Sequence, residues 1–167
     1  AAGSWSLILA RKLGLQMPLQ PGKGYSLTLE APRERPRRSL LLPEARVAIT
    51  PMGTMLRVGG TMELGAFDQG INPPRIRGIL RSFTRYLPAF HPEDFASSKP
   101  WSGLRPCSPD GLPYIGRFER FDNLAVATGH AMQGLSMGPV TGKLIAELLS
   151  GEKPSIDLGP LRPGRFG

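Results

Sequence analysis

The chain has 167 residues, 40% hydrophobic and 20% charged, which allows a real core in one domain or two small ones and excludes global disorder. A single cysteine, Cys107, excludes an internal disulfide, and His91 and His130 stand far apart without partners at ligand spacing, so no metal is expected. The net charge of +8 comes mostly from arginine, part of it in the run Pro32-Arg33-Glu34-Arg35-Pro36-Arg37-Arg38. That run is short, broken by two prolines and free of aromatics that would stack on bases. A solvated loop is therefore preferred, no nucleic-acid partner is expected, and a weak peripheral contact with an anionic membrane surface stays open.

No stretch approaches the roughly 20 apolar residues of a membrane-spanning helix. The start, Ala1-Ala2-Gly3-Ser4-Trp5, has no basic n-region and reads as a chain entered midway, not as a signal peptide.

In chain order, Trp5, Ile8, Leu9 and Leu13 recur at helical spacing, with Arg11 and Lys12 in the last turn and Gly14 as a stop. Tyr25, Leu27 and Leu29 alternate with polar residues as in a strand. Residues 39–42, 46–51 and 55–63 follow as three more strands, with turn signals at Pro43-Glu44 and Met52-Gly53-Thr54, which makes an antiparallel meander. Over 74–87 the period becomes helical: Ile76, Ile79, Leu80, Phe83 and Leu87 share one face and four arginines lie elsewhere. Residues 101–116 read as an irregular, turn-rich segment. A short buried strand is expected at 124–127 and a last helix at 138–149. Beyond Lys153, proline or glycine every few residues predicts a poorly ordered tail. The order argues for an α+β fold with a mostly antiparallel sheet.

The junction Gly129–Pro139 holds the first chemical signal. A strand runs into a glycine-rich turn and then a helix, whose start presents free N–H groups and a partial positive charge. Such a terminus suits an anion or a group that becomes anionic. No Gly-Lys-Ser/Thr follows the glycines, so it is not a phosphate loop of the Walker type. Alone, this is an ordinary strand–turn–helix junction with glycines for packing.

Two segments in order change that reading. "GLRPCSPDGLPYIG" followed by "NLAVATGHAMQGLSMGP" resembles the C-terminal half of FAD-dependent oxidoreductases of the D-amino-acid oxidase superfamily, close to D-amino acid dehydrogenase small subunits and glycine oxidases. "AAGSWS", "PLQPGKGYSLTL" and "VAITPMGTMLRVGGTMELG" fit the same pattern in the same order, so the resemblance spans residues 1 to about 151. It implies oxidation of D-amino acids or glycine-like amines by hydride transfer to FAD, a small amino-acid substrate, and a cytoplasmic location with contact at the inner membrane left open.

The resemblance also implies residue roles. Arg105 matches the arginine that binds the substrate carboxylate, for which a guanidinium fork is suited. Tyr25 matches a residue whose hydroxyl reaches the substrate, with a buried structural tyrosine as the alternative. Gly129, His130, Ala131, Met132, Gln133, Gly134, Leu135 and Ser136 match the loop under the flavin ring, and the following helix N-terminus would favour negative charge at the flavin's N1–C2=O. Gly3, with Ala2 and Trp5, matches the strand end that touches the cofactor. His130 is read as a packed loop residue, not a base, because hydride transfer from a neutral amine needs none; no catalytic side chain is assigned. The position where some relatives attach flavin covalently falls at Gly103, so the FAD is expected to be non-covalent.

By the same resemblance, 1–20 is part of an FAD-binding domain, 21–100 a substrate domain, 101–151 the C-terminal part of the FAD-binding domain and 152–167 a flexible tail. The family's G-x-G-x-x-G fingerprint does not occur in these 167 residues. The expectation is a C-terminal half that lacks the dinucleotide grip, with the upstream half or a partner chain supplying it, and that alone binds FAD weakly and is inactive. The competing expectation is a non-catalytic interaction or structural domain that keeps the oxidase shape.

Overall fold

The computed structural model describes residues 2–65 and 67–167. The chain divides into two compact units, one of residues up to Gly22 with Leu104–Gly167, the other of Lys23–Gly103.

The second unit holds the meander. Strands β1 (Gln20–Leu29), β2 (Leu40–Leu42), β3 (Val47–Met52), β4 (Met55–Leu64) and β5 (Trp101–Cys107) form one sheet in the order β2-β3-β4-β1-β5. β1 and β5 each cross the boundary between the units. β2 pairs antiparallel with β3, and β3 with β4 from Val47↔Gly60 to Met52↔Met55. Gly53, at φ +58°, makes the β3–β4 turn possible where a side chain would be strained.

Helix α1 (Ser6–Lys12) belongs to the first unit, and α2 (Pro73–Tyr86) to the second. α2 begins with Pro73 and Pro74, whose absent N–H groups cost nothing in a first turn. Its face lies as the period predicts: Ile79 and Phe83 are fully buried, with Ile76, Leu80 and Leu87 packed beside them. Their neighbours in the core are Tyr25, Leu27, Val47, Ile49, Leu56, Val58, Phe90 and Phe95. Phe83 meets Phe90 at 5.0 Å and Phe95 edge-on at 5.5 Å between ring centroids, both favourable aromatic geometries.

In the first unit, β6 (Tyr114–Phe118) and β7 (Phe121–Thr128) form an antiparallel hairpin. Ala10, Met17, Leu19, Tyr114 and Phe118 form its core. Helix α3 (Gly134–Leu149) follows β7. The mostly antiparallel α+β architecture is as expected.

Three local expectations are corrected. Residues 101–116 are not irregular, because they contain β5 and β6. Gly103 and Pro106 weaken the strand signal locally, and pairing with distant partners overrides it. α3 begins at Gly134, a full turn before the expected start, with Pro139 inside it. Met137 N–H already donates to Gln133 C=O at 2.9 Å, so a turn is closed before the proline arrives.

The tail, expected to be flexible, is tied down by packing and hydrogen bonds. Pro163 is fully buried, and a Cβ added at Gly116 would meet it at 3.0 Å. The arginines of the 32–38 run are exposed, and among the described residues no helix is long and apolar enough to cross a membrane.

Phe83→Ala should lower the unfolding free energy by about 3–5 kcal/mol through the cavity it leaves. Urea unfolding followed by circular dichroism measures this, and a loss below about 1 kcal/mol would contradict the core assignment.

Candidate functional site

The site lies within the first unit, where three separate segments meet at the end of β7. Thr128 Oγ1 donates to Gly3 C=O at 3.2 Å and accepts from Ser6 Oγ at 3.3 Å. Ser4 Oγ donates to Leu104 C=O at 3.4 Å. Gly3 is thus held against the strand that carries Arg105 and the strand that leads to Gly129.

The loop after β7 then joins β5 directly. His130 and Cys107 form an isolated antiparallel bridge, and Ala131 N–H donates to Pro106 C=O at 2.9 Å. Gly129 makes this turn at φ +84°, with its Cα so close to Tyr114 that an added Cβ would lie 3.1 Å from the ring. Ala131 carries a positive φ of 48°, uncommon for a residue with a side chain.

Gln133 caps α3, and the N–H groups of Gly134, Leu135 and Ser136 precede the first helical bond. Pro139 has no N–H, so the Leu135 carbonyl also lacks its helical donor. Around this terminus Leu135, in the first turn of α3, is 95% exposed and Met132, in the loop before it, 68%, a high exposure for apolar side chains. Gly138 and Gly142 on the same helix have nothing within 4 Å of an added Cβ.

Arg105 sits on β5, two residues before the bridge to His130. Its Nη1 is buried and has no hydrogen-bond partner within the protein. Among the described residues only Thr61 Oγ1 shares that state. Buried polar atoms are nearly always paired, so an unpaired guanidinium nitrogen, on a strand whose end is bridged to the loop that opens α3, makes Arg105 a candidate partner for an anionic group.

His130 Nε2 lies 3.0 Å from Thr141 Oγ1, which ties the loop to the second turn of α3. Burial pushes its pKa down. Burial likewise pushes the Cys107 thiol up, with Arg105 opposing.

Tyr25 lies in the other unit. It is almost fully buried, and its hydroxyl donates to Glu63 Oε2 at 2.9 Å. Glu63 also accepts from Asn72 at 3.4 Å and pairs with Lys23 at 3.6 Å and Arg75 at 3.5 Å. Lys23, buried, reaches Asp68 at 2.8 Å and Gly70 C=O at 3.0 Å. The hydrogen bond to Asp68 holds Lys23 well above the ordinary lysine range, and the Tyr25 hydroxyl holds Glu63 below the usual carboxylate range. The Tyr25 hydroxyl, matched to a substrate-reaching residue or a structural tyrosine, here donates to Glu63. The network was not read from the sequence, because Lys23, Glu63 and Asp68 share no short motif.

A profile of the FAD dependent oxidoreductase family matches residues 1–148. The chain belongs to this family. D-amino acid dehydrogenase of Xanthobacter autotrophicus is 39% identical over 168 residues, covering 99% of this chain and 39% of that protein. The D-amino acid dehydrogenase of Methylobacterium radiotolerans is 42% identical with the same coverage. Among solved structures, glycine oxidase from Geobacillus kaustophilus superposes with a TM-score of 0.87 at 29% identity, over 100% of this chain and 45% of that one. The chain therefore spans about two fifths of the length of the curated relatives it matches.

The residues present fit the ring end of the family's FAD: a helix terminus with free N–H groups, an open glycine row and exposed apolar side chains. They do not include the fingerprint that grips its pyrophosphate.

Because the folded pKa of His130 lies below its unfolded value near 6.5, its contribution to stability is complete above that pH and is lost as pH falls through the folded pKa. Urea unfolding should show stability declining from pH 7 downward, with a shallower decline for His130→Gln. Identical slopes would place the acid sensitivity elsewhere.

Proposed function

We propose that this chain forms the substrate-carboxylate and flavin-ring side of an FAD-dependent enzyme that oxidises D-amino acids or glycine-like amines. The names of its relatives support the substrate class, and the family supports the cofactor. When bound, FAD supplies the two-electron acceptor for the substrate's α-C–H bond, and its nucleotide end requires a dinucleotide-binding unit outside these residues.

The single observation that carries the reading is the buried, unpaired Nη1 of Arg105, on the strand whose end bridges to the loop that opens α3. Arg105 would pair with the amino acid's carboxylate, fixing the α-carbon's position through a charge-assisted bond. The N–H groups of Gly134, Leu135 and Ser136 would favour negative charge placed over the helix end. Met132 and Leu135 would lie against the ring and keep water from it. His130 takes no proton in this scheme, since Thr141 occupies its Nε2 and burial disfavours its charged form. With glycine at position 103, the flavin is held without a covalent bond.

In the intact, FAD-loaded protein, Arg105→Ala should raise KM for amino-acid substrates by the equivalent of about 1.5–3 kcal/mol. Steady-state kinetics with D-alanine and glycine measure it. An unchanged KM removes Arg105 from the carboxylate role. No turnover of either amine by the loaded wild-type protein would instead favour a non-catalytic domain of oxidase shape.

A further inference from the structure

The turn from Arg105's strand to β6 is held from outside by the end of the chain. Within the turn, Ser108 Oγ donates to Leu112 C=O at 2.7 Å, and Leu112 N–H donates to Asp110 Oδ1 at 3.1 Å. Gly111 makes its reversal at φ +77°. Arg165 then closes on the outer edge. Its Nε donates to Asp110 Oδ2 at 2.8 Å and its Nη2 to Asp110 Oδ1 at 2.9 Å, a bidentate pair. Nη2 also donates to Leu112 C=O at 2.7 Å, and Nη1 to Pro113 C=O at 3.3 Å. The guanidinium stacks 4.0 Å from the Tyr114 ring, and Phe166 meets that ring edge-on at 6.2 Å.

Arg165 lies in the tail expected to be flexible, yet its side chain is only 8% exposed. Lysine cannot replace it, because a point charge makes neither the fork nor the stack. The contrast with Arg105 is informative. Every nitrogen of Arg165 is engaged, as in a structural part, whereas Arg105 keeps one nitrogen unpaired. The clamped turn starts directly after Cys107, whose bridge to His130 sets the loop that opens α3.

We propose that Arg165 is a positioning residue for Arg105: by clamping the Ser108–Pro113 turn through Asp110, the end of the chain fixes the last residues of β5 and with them the direction of the free guanidinium nitrogen. This rests on the carboxylate reading of Arg105. It gives the last residues of the chain a part in substrate affinity, although none of them is proposed to touch substrate.

Two measurements test it. In the intact, FAD-loaded protein, Arg165→Lys should raise KM for D-alanine about tenfold, the scale of coupling carried by a shared backbone shift, while changing kcat little. The same substitution added to Arg105→Ala should leave KM where Arg105→Ala alone puts it. Equal KM factors in both backgrounds would show that Arg165 does not act through Arg105 and would overturn the proposal. Hydrogen exchange on the 167-residue chain, without flavin, should show faster exchange at the Leu112 and Ala131 amides in Arg165→Lys and unchanged exchange in β3 and β4. Unchanged exchange at Leu112 and Ala131 would also overturn it. Should Arg165→Lys fail to fold, Asp110→Asn runs the same cycle, since it retains the Leu112 bond and loses the ion pair. If Arg105→Ala alone leaves KM unchanged, the carboxylate reading fails, and the exchange result still decides whether Arg165 fixes the turn.

Discussion

The backbone pairing of His130 and Ala131 with Cys107 and Pro106 is the constraint on which the candidate site depends. One hydrogen bond from Ala131 to Pro106 and one bridge join segments more than twenty residues apart. Without that pairing, β5 would carry Arg105 with no relation to the start of α3. With it, the end of the strand that carries Arg105 is fixed to the loop that opens α3. The pairing favours Gly129, because the turn has a positive φ and a Cβ would crowd the Tyr114 ring at 3.1 Å.

Around this junction the first unit uses short-range polar anchors where its core is small. Thr128 bonds to Gly3 and Ser6, Tyr114 donates to Pro18 C=O at 2.7 Å, and Arg165 holds Asp110. The ion pair with Arg165 lowers the pKa of Asp110 to about 2, so the clamp holds in any mildly acidic medium. Arg165 thereby turns a proline- and glycine-rich tail into part of the wall of β6. The second unit is built differently, with a larger apolar core and a partly exposed polar network around Glu63, of which Lys23 and Tyr25 are the buried members. The candidate site is confined to the first unit.

Much of this was legible in the sequence. The alternation at Tyr25, Leu27 and Leu29 and the face of α2 followed from period, and the turn signals at Pro43-Glu44 and Met52-Gly53-Thr54 marked β3 and β4. The motif pair around Arg105 and Gly129–Ser136 pointed to the family, and membership in it holds over residues 1–148. What failed was instructive. β5 and β6 looked irregular because Gly103, Pro106 and Gly116 have poor strand propensity, which only partners elsewhere in the chain could offset. The last helix was expected from residue 138 and instead starts at Gly134, with Pro139 inside it. Tyr25 could not be assigned because the partner of its hydroxyl, Glu63, lies 38 residues away.

By itself the sequence determined the fold class, the family and the residue types of the site. These depend on local periodicity and on motifs that keep their order along the chain. Only the tertiary structure decided which arginine is free and which is committed. Arg105 and Arg165 are the same side chain in similar glycine- and proline-rich surroundings. A carboxylate and two carbonyls reached through folding occupy one, and the other keeps a buried nitrogen without a partner. Hydrogen-bond satisfaction is a property of neighbours in space, and those neighbours lie more than fifty residues away in the chain.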